Sequence, residues 1–352
     1  MNKKAKYAIY AGAATGIING IINIVKQNNE QPNVPIDWSR VLKATLKGAA
    51  IGGAGGFLVG AYVDHRNSLE KPINTDLELG SLIKQVQLRK NDRKYLVLCE
   101  KADWLISQIK NKYTSDLKSE PFRFGSTEDG TALKEKYDID VSVSFKPDAF
   151  ASTFDMYEIL YEFLNEMEGR NGLLRVRKQR VSFGVYFDLG YGREGKVDIV
   201  PIKITKKRGN KTSGYVYKKS RNLFSTDTYQ KTDPYLLSRE RLSKPQKEIL
   251  VALKNWKRKQ DVPISSHLLQ NLIKDAYVYN VNRIPYGLTG KIIMVLSHIK
   301  DNIDSIQLTS VENTNNIITN IPDNDKAIIR DACKKLIDDY NYQPNSIVDN
   351  FA

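Results

Sequence analysis

The chain is 352 residues long, with a formal net charge of +14, and is 41% hydrophobic and 27% charged. That length fits about two domains at ~100–200 residues each, with ample material for a buried core, and the ordinary composition excludes a disordered or fibrous chain. Two cysteines far apart, Cys99 and Cys333, and three scattered histidines exclude a disulfide framework and a zinc cluster and point to a reducing compartment.

The basic surplus suits a polyanionic partner, whether a nucleoside triphosphate, a nucleic acid or an anionic membrane face; the plain alternative is a solvated basic surface. The first seventy residues differ in kind from the rest. KYAIYAGAATGIINGIINIV (6–25) and LKGAAIGGAGGFLVGAYV (46–63) are almost free of charge and flank a polar, proline-containing spacer. Gly12, Gly16 and Gly20 recur every four residues, as do Gly48, Gly52, Gly56 and Gly60. Each glycine costs a water-exposed helix about 0.5–1 kcal/mol relative to alanine. Such spacing therefore calls for close helix–helix approach, which lipid favours because small residues let backbones meet there. The pattern predicts a two-helix glycine-zipper hairpin over 1–70, either a transmembrane anchor through residues 6–63 or a soluble, self-associating hairpin. A cleaved signal peptide is the other reading of such a start. The apolar runs, ~16–20 residues, are short against the ~20 needed to span, and Asn19 and Asn23 sit awkwardly in hydrocarbon unless they face a partner. An even number of spans leaves both termini on one side, so the expected location is a cytoplasmic domain tethered to the inner membrane, with a soluble cytoplasmic chain as the alternative.

DLELGSLIKQVQLRKNDRKYLVLCEKADWLISQIKNKY (76–113) places Leu98, Ala102, Leu105 and Ile109 at helical spacing, behind a break at Pro72 and Asn74-Thr75-Asp76. The spacing predicts a long helix leading into a sheet and packing on it. KYDIDVSVSF (136–145) then alternates with period two: Ile139, Val141, Val143 and Phe145 face one way, Asp138, Asp140, Ser142 and Ser144 the other. Two like charges that close repel unless a cation sits between them. Mg²⁺ (or Mn²⁺), which takes carboxylate and phosphate oxygens together, is the expected cation. FASTFDMYEILYEFLNEME (150–168) reads as a helix ending at Gly169. RVSFGVYFDL (180–189) and KVDIVPI (196–202), joined by GYGREG, read as antiparallel strands, with Asp198 in the second. Lying beside the Asp-x-Asp strand, it would complete a three-carboxylate cluster for one or two metals.

Gly125-Ser126 fits the same chemistry. Glycine lets the backbone approach a phosphate, and the serine hydroxyl and following N–H groups can donate to its oxygens. Singly, each signal is commonplace, since Gly-Ser is usually a plain turn and Asp-x-Asp usually an exposed strand edge. His65, His267 and His298 have no triad partners, which argues against a Ser-His nucleophile; phosphoryl transfer needs none.

The order Gly125-Ser126, Asp138-Ile139-Asp140, Val197-Asp198-Ile199-Val200-Pro201 resembles the DNA polymerase β-type nucleotidyltransferase superfamily. Within it, the string is similar to the cyclic GMP-AMP synthase and oligoadenylate synthase branch, which includes the bacterial CD-NTases. The resemblance implies an α+β fold, a mixed sheet with a helical C-terminal domain, here preceded by the glycine-zipper hairpin. Domains would be 1–70 (hairpin), 71–235 (catalytic, with its leading helix) and 236–352 (helical, substrate-binding). It implies that Asp138 and Asp140 hold the metals and that Asp198 shares the catalytic one. The product would be a cyclic or short linear oligonucleotide made from NTPs, ATP among them, acting as a second messenger on a downstream effector in anti-phage defence. It implies too that Tyr217 stacks on a base and that Lys254, with Ser265 or Ser266, reaches the triphosphate. On the residues alone, Lys254 is equally a solvated helix lysine and Ser265 an N-cap. The chain lacks the cysteines of the zinc ribbon with which animal cyclic GMP-AMP synthase meets DNA, so nucleic acid is not expected as activator. Two other readings stay open: a nucleotidyltransferase that modifies RNA ends or a protein, and a membrane nucleotide-sensing scaffold, which has no use for three mutually repelling acids.

The basic runs TKKRGNK (205–211) and YKKSRN (217–222) flank the expected cleft. From about 236 the pattern is helical with hardly any strand content, and the tail is expected to fray after Tyr342.

Overall fold

A computed structural model describes residues 73–204, 214–220, 227–232, 242–310 and 313–352. The glycine hairpin of 1–70, the basic run 205–211 and the end of the run 217–222 lie outside the described residues. Among the described residues no helix is long and apolar enough to cross a membrane. Residues Asn74–Ala352 form one compact unit.

The stretch 76–113 makes two helices rather than one. Helix α1 (Thr75–Val86) starts at Asn74, whose side chain accepts from the Leu77 N–H at 3.3 Å, and buries Leu79 and Ile83, one turn apart. The chain then runs extended and restarts as α2 (Arg93–Lys112), where the Asp92 carboxylate accepts from the N–H groups of Lys94 and Tyr95. Asp92 is thus a helix start inside a run whose apolar spacing alone looks continuous. The break separates two packing roles. Leu79 and Ile83 join the core of the C-terminal helices, whereas Tyr95, Leu98, Ala102, Leu105 and Ile109 of α2 lie on the sheet.

The sheet contains β1 (Phe122–Phe124), β2 (Ile139–Phe145), β3 (Leu173–Lys178), β4 (Phe183–Asp188), β5 (Glu194–Ile204), β6 (Gly214–Lys218) and β7 (Thr228–Thr232). Its order is β1-β2-β5-β4-β3, with β6 paired to the far half of β5 and β7 to β6. Only β2 and β5 run parallel among these pairs. The β4–β5 hairpin follows from the alternation of 180–189 and 196–202, while β3 was not legible because RVRK carries only one buried apolar residue, Val176. One face of the sheet is covered by α2 and by α3 (Thr153–Asn165), which is capped by Ser152 and buries Met156, Tyr157, Leu160 and Leu164. Ile139, Val141, Val143, Phe145, Val197 and Ile199 fill that core. The period-two rule then sends Asp138, Asp140 and Asp198 to the opposite face.

The C-terminal half is built of α4 (Lys244–Lys259), α5 (Ser266–Tyr279), α6 (Leu288–Asn302), α7 (Asp323–Tyr342) and α8 (Ser346–Phe351) around one apolar core that also takes in α1. Helix α4 is the central member: every residue from Ile249 to Trp256 is buried, Lys254 and Asn255 included. A short hairpin of β8 (Thr309–Ser310) and β9 (Asn313–Ile317) interrupts the helices, against the expectation of almost no strand there.

The expected fraying after Tyr342 is also corrected. Helix α8 docks Ile347 and Phe351 into the core, and the Asn255 amide donates to the Phe351 carbonyl at 2.8 Å. Six residues with two apolar anchors are too short a pattern to read as a helix, but sufficient once a groove exists. Phe351 is 2% exposed, so Phe351→Ala is expected to cost about 3 kcal/mol of unfolding free energy. Urea denaturation checks this; an unchanged midpoint would mean the tail is not docked.

Candidate active site

Strand register builds the centre of the site. In the parallel β2–β5 pair Asp140 lies opposite Asp198, and Ile139 opposite Val197, which sets Asp138 next to Lys196 one row away. The third acid, fifty-eight residues downstream of Asp140, is therefore one strand spacing from it, ~4.8 Å. Asp140 feels this crowding. Burial first, then Asp198 and Asp138, push its carboxyl from the ordinary 3.8 up to about 7. Burial raises Asp198 as well, and the bond from Lys196 draws it back.

Lys196 answers part of that charge. Its ammonium lies 2.7 Å from Asp138 Oδ2 and 3.0 Å from Asp198 Oδ2. Burial works against its positive charge, but the bonds to Asp138 and Asp198 outweigh it and hold the ammonium above the ordinary lysine range. Gln179 completes the setting of Asp198 by donating from Nε2 to Oδ1 at 3.0 Å. Gly184, the register partner of Asp198 on β4, makes room for it, since a Cβ there would stand 2.7 Å from Gln179 Nε2.

Gly125 and Ser126 follow directly from β1, whose Phe124 pairs with Asp140. Gly125 has φ +80°, and a Cβ on it would meet Asp140 Oδ2 at 2.2 Å, so both backbone conformation and close approach demand glycine. The loop closes through Asp129 N–H to Gly125 O at 3.0 Å and Thr131 N–H to Ser126 O at 2.9 Å. The Thr127 hydroxyl is buried here with no partner among the described residues.

Two cavities open over this floor. The first, about 510 Å³, is lined by Ser126, Asp138, Asp140, Lys254, Lys257 and Arg258 among others. The second, about 540 Å³, shares Ser126, Asp140, Lys254 and Ser266 and extends past Gly125, Gln270 and Lys274. Each falls in the range of small-molecule sites. Lys254 is 8% exposed and donates to the Thr131 carbonyl at 3.0 Å; it is no solvated surface lysine. Burial, then Lys257, lower its ammonium to about 8.

Seven of the nine residues singled out from the sequence thus meet: Gly125, Ser126, Asp138, Asp140, Asp198, Lys254 and Ser266. Two do not. Ser265 is the N-cap of α5, its hydroxyl accepting from the Leu268 N–H at 3.0 Å. Tyr217 is on the wrong face: it packs with Phe154 and Tyr157 in the core under α3, while its neighbour Val216 joins Ile202 and Ile204 on the carboxylate side. At 5% exposure, with its hydroxyl donating to Asp227, Tyr217 has no free ring face for a base.

No protein-family model matches the sequence, and no curated protein matches it. Solved structures do. CdnC of E. coli MS115-1 with ATP superposes with a TM-score of 0.59 at 19% identity, covering 79% of this chain and 98% of that one. The Bradyrhizobium diazoefficiens CD-NTase CdnG in complex with GTP gives 0.61 at 11% identity, over 80% and 96%. The CdnE cyclic dinucleotide synthase of Elizabethkingia meningoseptica with GTP and Apcpp gives 0.50 at 13% identity, over 77% and 99%. The chain has the CD-NTase fold. Upon that CD-NTase fold, Lys196 and Gln179 are the site residues that sequence reading missed. Lys196 was visible as a residue two before Asp198 on the same strand face; Gln179, from the β3–β4 turn, carries no such signal.

The donor set fits a divalent cation: three hard carboxylates, one of them pushed up by burial and by the other two, with an ammonium already bridging one pair. Among the described residues no three His, Cys, Asp or Glu side chains are already closed on a common cation position; Asp138 and Asp198 are engaged by Lys196 instead. Because the folded Asp140 carboxyl titrates near 7 rather than 3.8, its contribution to stability is complete below about pH 4 and lost as pH rises through 7. Asp140→Asn is therefore expected to flatten the fall in melting temperature between pH 5 and pH 8 in EDTA, and to abolish stabilisation by Mn²⁺ at pH 8. A wild-type pH profile in the variant would show that Asp140 is not the strained group.

Proposed function

We propose that this chain is a nucleotidyltransferase that joins NTPs, ATP among them, into a cyclic or short linear oligonucleotide and releases pyrophosphate. The observation that carries the reading is the in-register pairing of Asp140 with Asp198, with Asp138 one row away, and two cavities that both reach Asp140. Two adjoining cavities with common polar walls suit a reaction between two nucleotides. The fold is that of CdnE, a cyclic dinucleotide synthase, and of CdnC and CdnG with their ATP and GTP. On this reading the product acts on a downstream effector in anti-phage signalling.

The turn at Gly125-Ser126 presents N–H groups and a hydroxyl to phosphate oxygens, and Lys254, Lys257 and Arg258 line the cavity that would hold the triphosphate. Asp138, Asp140 and Asp198 would hold Mg²⁺ or Mn²⁺, which when bound supplies Lewis-acid stabilisation of charge on the phosphates. Asp198 accepts the proton of the incoming ribose hydroxyl. The ribose oxygen bonds the α-phosphorus as the bond from that phosphorus to the oxygen bridging to the β-phosphate breaks, and pyrophosphate leaves. Positioning and charge carry such a reaction, which needs no Ser-His nucleophile.

Purified protein given all four NTPs with Mg²⁺ or Mn²⁺ is expected to yield a small, phosphatase-resistant product by mass spectrometry. Asp138→Ala with Asp140→Ala is expected to abolish both product and pyrophosphate. Label from ATP appearing on RNA or on protein would replace this reading with a macromolecule-modifying transferase, and wild-type turnover by the double variant would remove the site. The glycine spacing of residues 6–63 supports a membrane tether for the enzyme. A reporter fused to residues 1–70 is expected in the membrane fraction, and recovery in the soluble fraction at low and high salt would eliminate the anchor.

A further inference from the structure

Lys196 is a lysine in a place where the chemistry above has no task for it. It stands two residues before Asp198 on the same strand face, beside Asp138 across the parallel pair, and its ammonium touches one oxygen of each acid at 2.7 and 3.0 Å. Those are two of the three side chains proposed to hold cations. Asp198 has both oxygens engaged as it stands, one by Lys196 and one by Gln179. A carboxylate so engaged is a poor acceptor for a ribose proton and a poor cation ligand. Lys196 also lines a cavity of about 400 Å³ that it shares with Asp138, Tyr186 and Glu194 and with the cationic side chains of Lys94, Lys134, Lys136 and Arg193. Glu194, two residues before Lys196 on the same sheet face, is already held by the Arg175 guanidinium.

We infer that Lys196 is an internal counter-cation that competes with divalent metal for Asp138 and Asp198, and that it must swing away before metal is held. An ammonium between two acids relieves their repulsion in the nucleotide-free protein, which keeps the three-acid floor assembled without metal. The same ammonium makes bare metal a weak ligand, because a divalent ion must both displace it and approach a positive charge. A triphosphate arriving with its metal adds the oxygens and the negative charge that tip the exchange. Cation and nucleotide are then taken up together, and Lys196 is a positioning residue that imposes this coupling.

The inference rests on the carboxylate reading of the site, and its test needs no turnover. Mn²⁺ binding is measured by titration calorimetry on the full-length protein, with and without a non-hydrolysable ATP analogue. Wild type is expected to bind Mn²⁺ weakly alone and much more tightly with the analogue. Lys196→Met is expected to bind Mn²⁺ alone at least about tenfold more tightly, given the strength of charge–charge terms at such distances, and to lose most of the gain from the analogue. Lys196→Arg keeps the charge and is expected to stay weak. Should Lys196→Met fail to fold, reductive methylation of wild-type protein gives the second readout: Lys196 modification, followed by mass spectrometry, is expected to rise several-fold on adding Mn²⁺ with the analogue. Unchanged Mn²⁺ affinity in folded Lys196→Met, or methylation indifferent to metal, overturns the inference. Absence of any Mn²⁺ binding in wild type with the analogue would instead overturn the carboxylate site itself.

Discussion

The arrangement depends on one alignment, the parallel register of β2 with β5. A slip of one residue would turn Asp198 into the core under α2 and α3, exposing Val197 or Ile199 in its place. The apolar residues flanking each acid fix that register, because Ile139, Val141, Val197 and Ile199 are all fully buried. Hydrophobic packing on one face therefore holds mutually repelling charges together on the other. Burial and, after it, this repulsion raise the carboxyl of Asp140.

Around this centre the sequence supplies relief at short range. Gly125 leaves room for the Asp140 oxygen, Gly184 leaves room for Gln179, and Lys196 spans Asp138 and Asp198. Lys254 enters from the central helix of the other core and closes the site from above through the Thr131 carbonyl. Its burial removes the reading of a solvated helix lysine. A lysine in solvent needs no such partner, whereas one at 8% exposure has to find an acceptor.

Much of this is legible in the amino-acid sequence. Period-two alternation placed the three acids on one face, and the hairpin of β4 and β5 followed from the turn GYGREG. What stayed hidden depended on long-range partners. Strand β3 is an edge strand whose two buried apolar residues, Leu173 and Val176, stand three apart, so no period-two alternation marks it. The division of 76–113 into two helices turned on a single cap, Asp92, inside an otherwise continuous pattern. Tyr217 followed the family's expected position, but the alternation of β6 carries it to the far face of the sheet, an outcome set by the pairing of Lys203 with Tyr215. Helix α8 is legible only as two apolar residues until the groove that receives them is built.

The break between α1 and α2 has a mechanical consequence. Backbone bonds tie it to the segment that leads into Asp138: Leu88 N–H to Ala132 O at 2.9 Å, and Lys134 N–H to Val86 O at 2.7 Å. The Gln87 side chain adds a third tie to the Gly130 carbonyl. Helix α1 belongs to the helical core and α2 to the sheet, so this elbow is clamped to the loop that leads into Asp138 at the seam of the two cores. Residues 130–134 are thereby tied to both cores, and the loop that leads into Asp138 takes its position from the elbow as well as from the sheet.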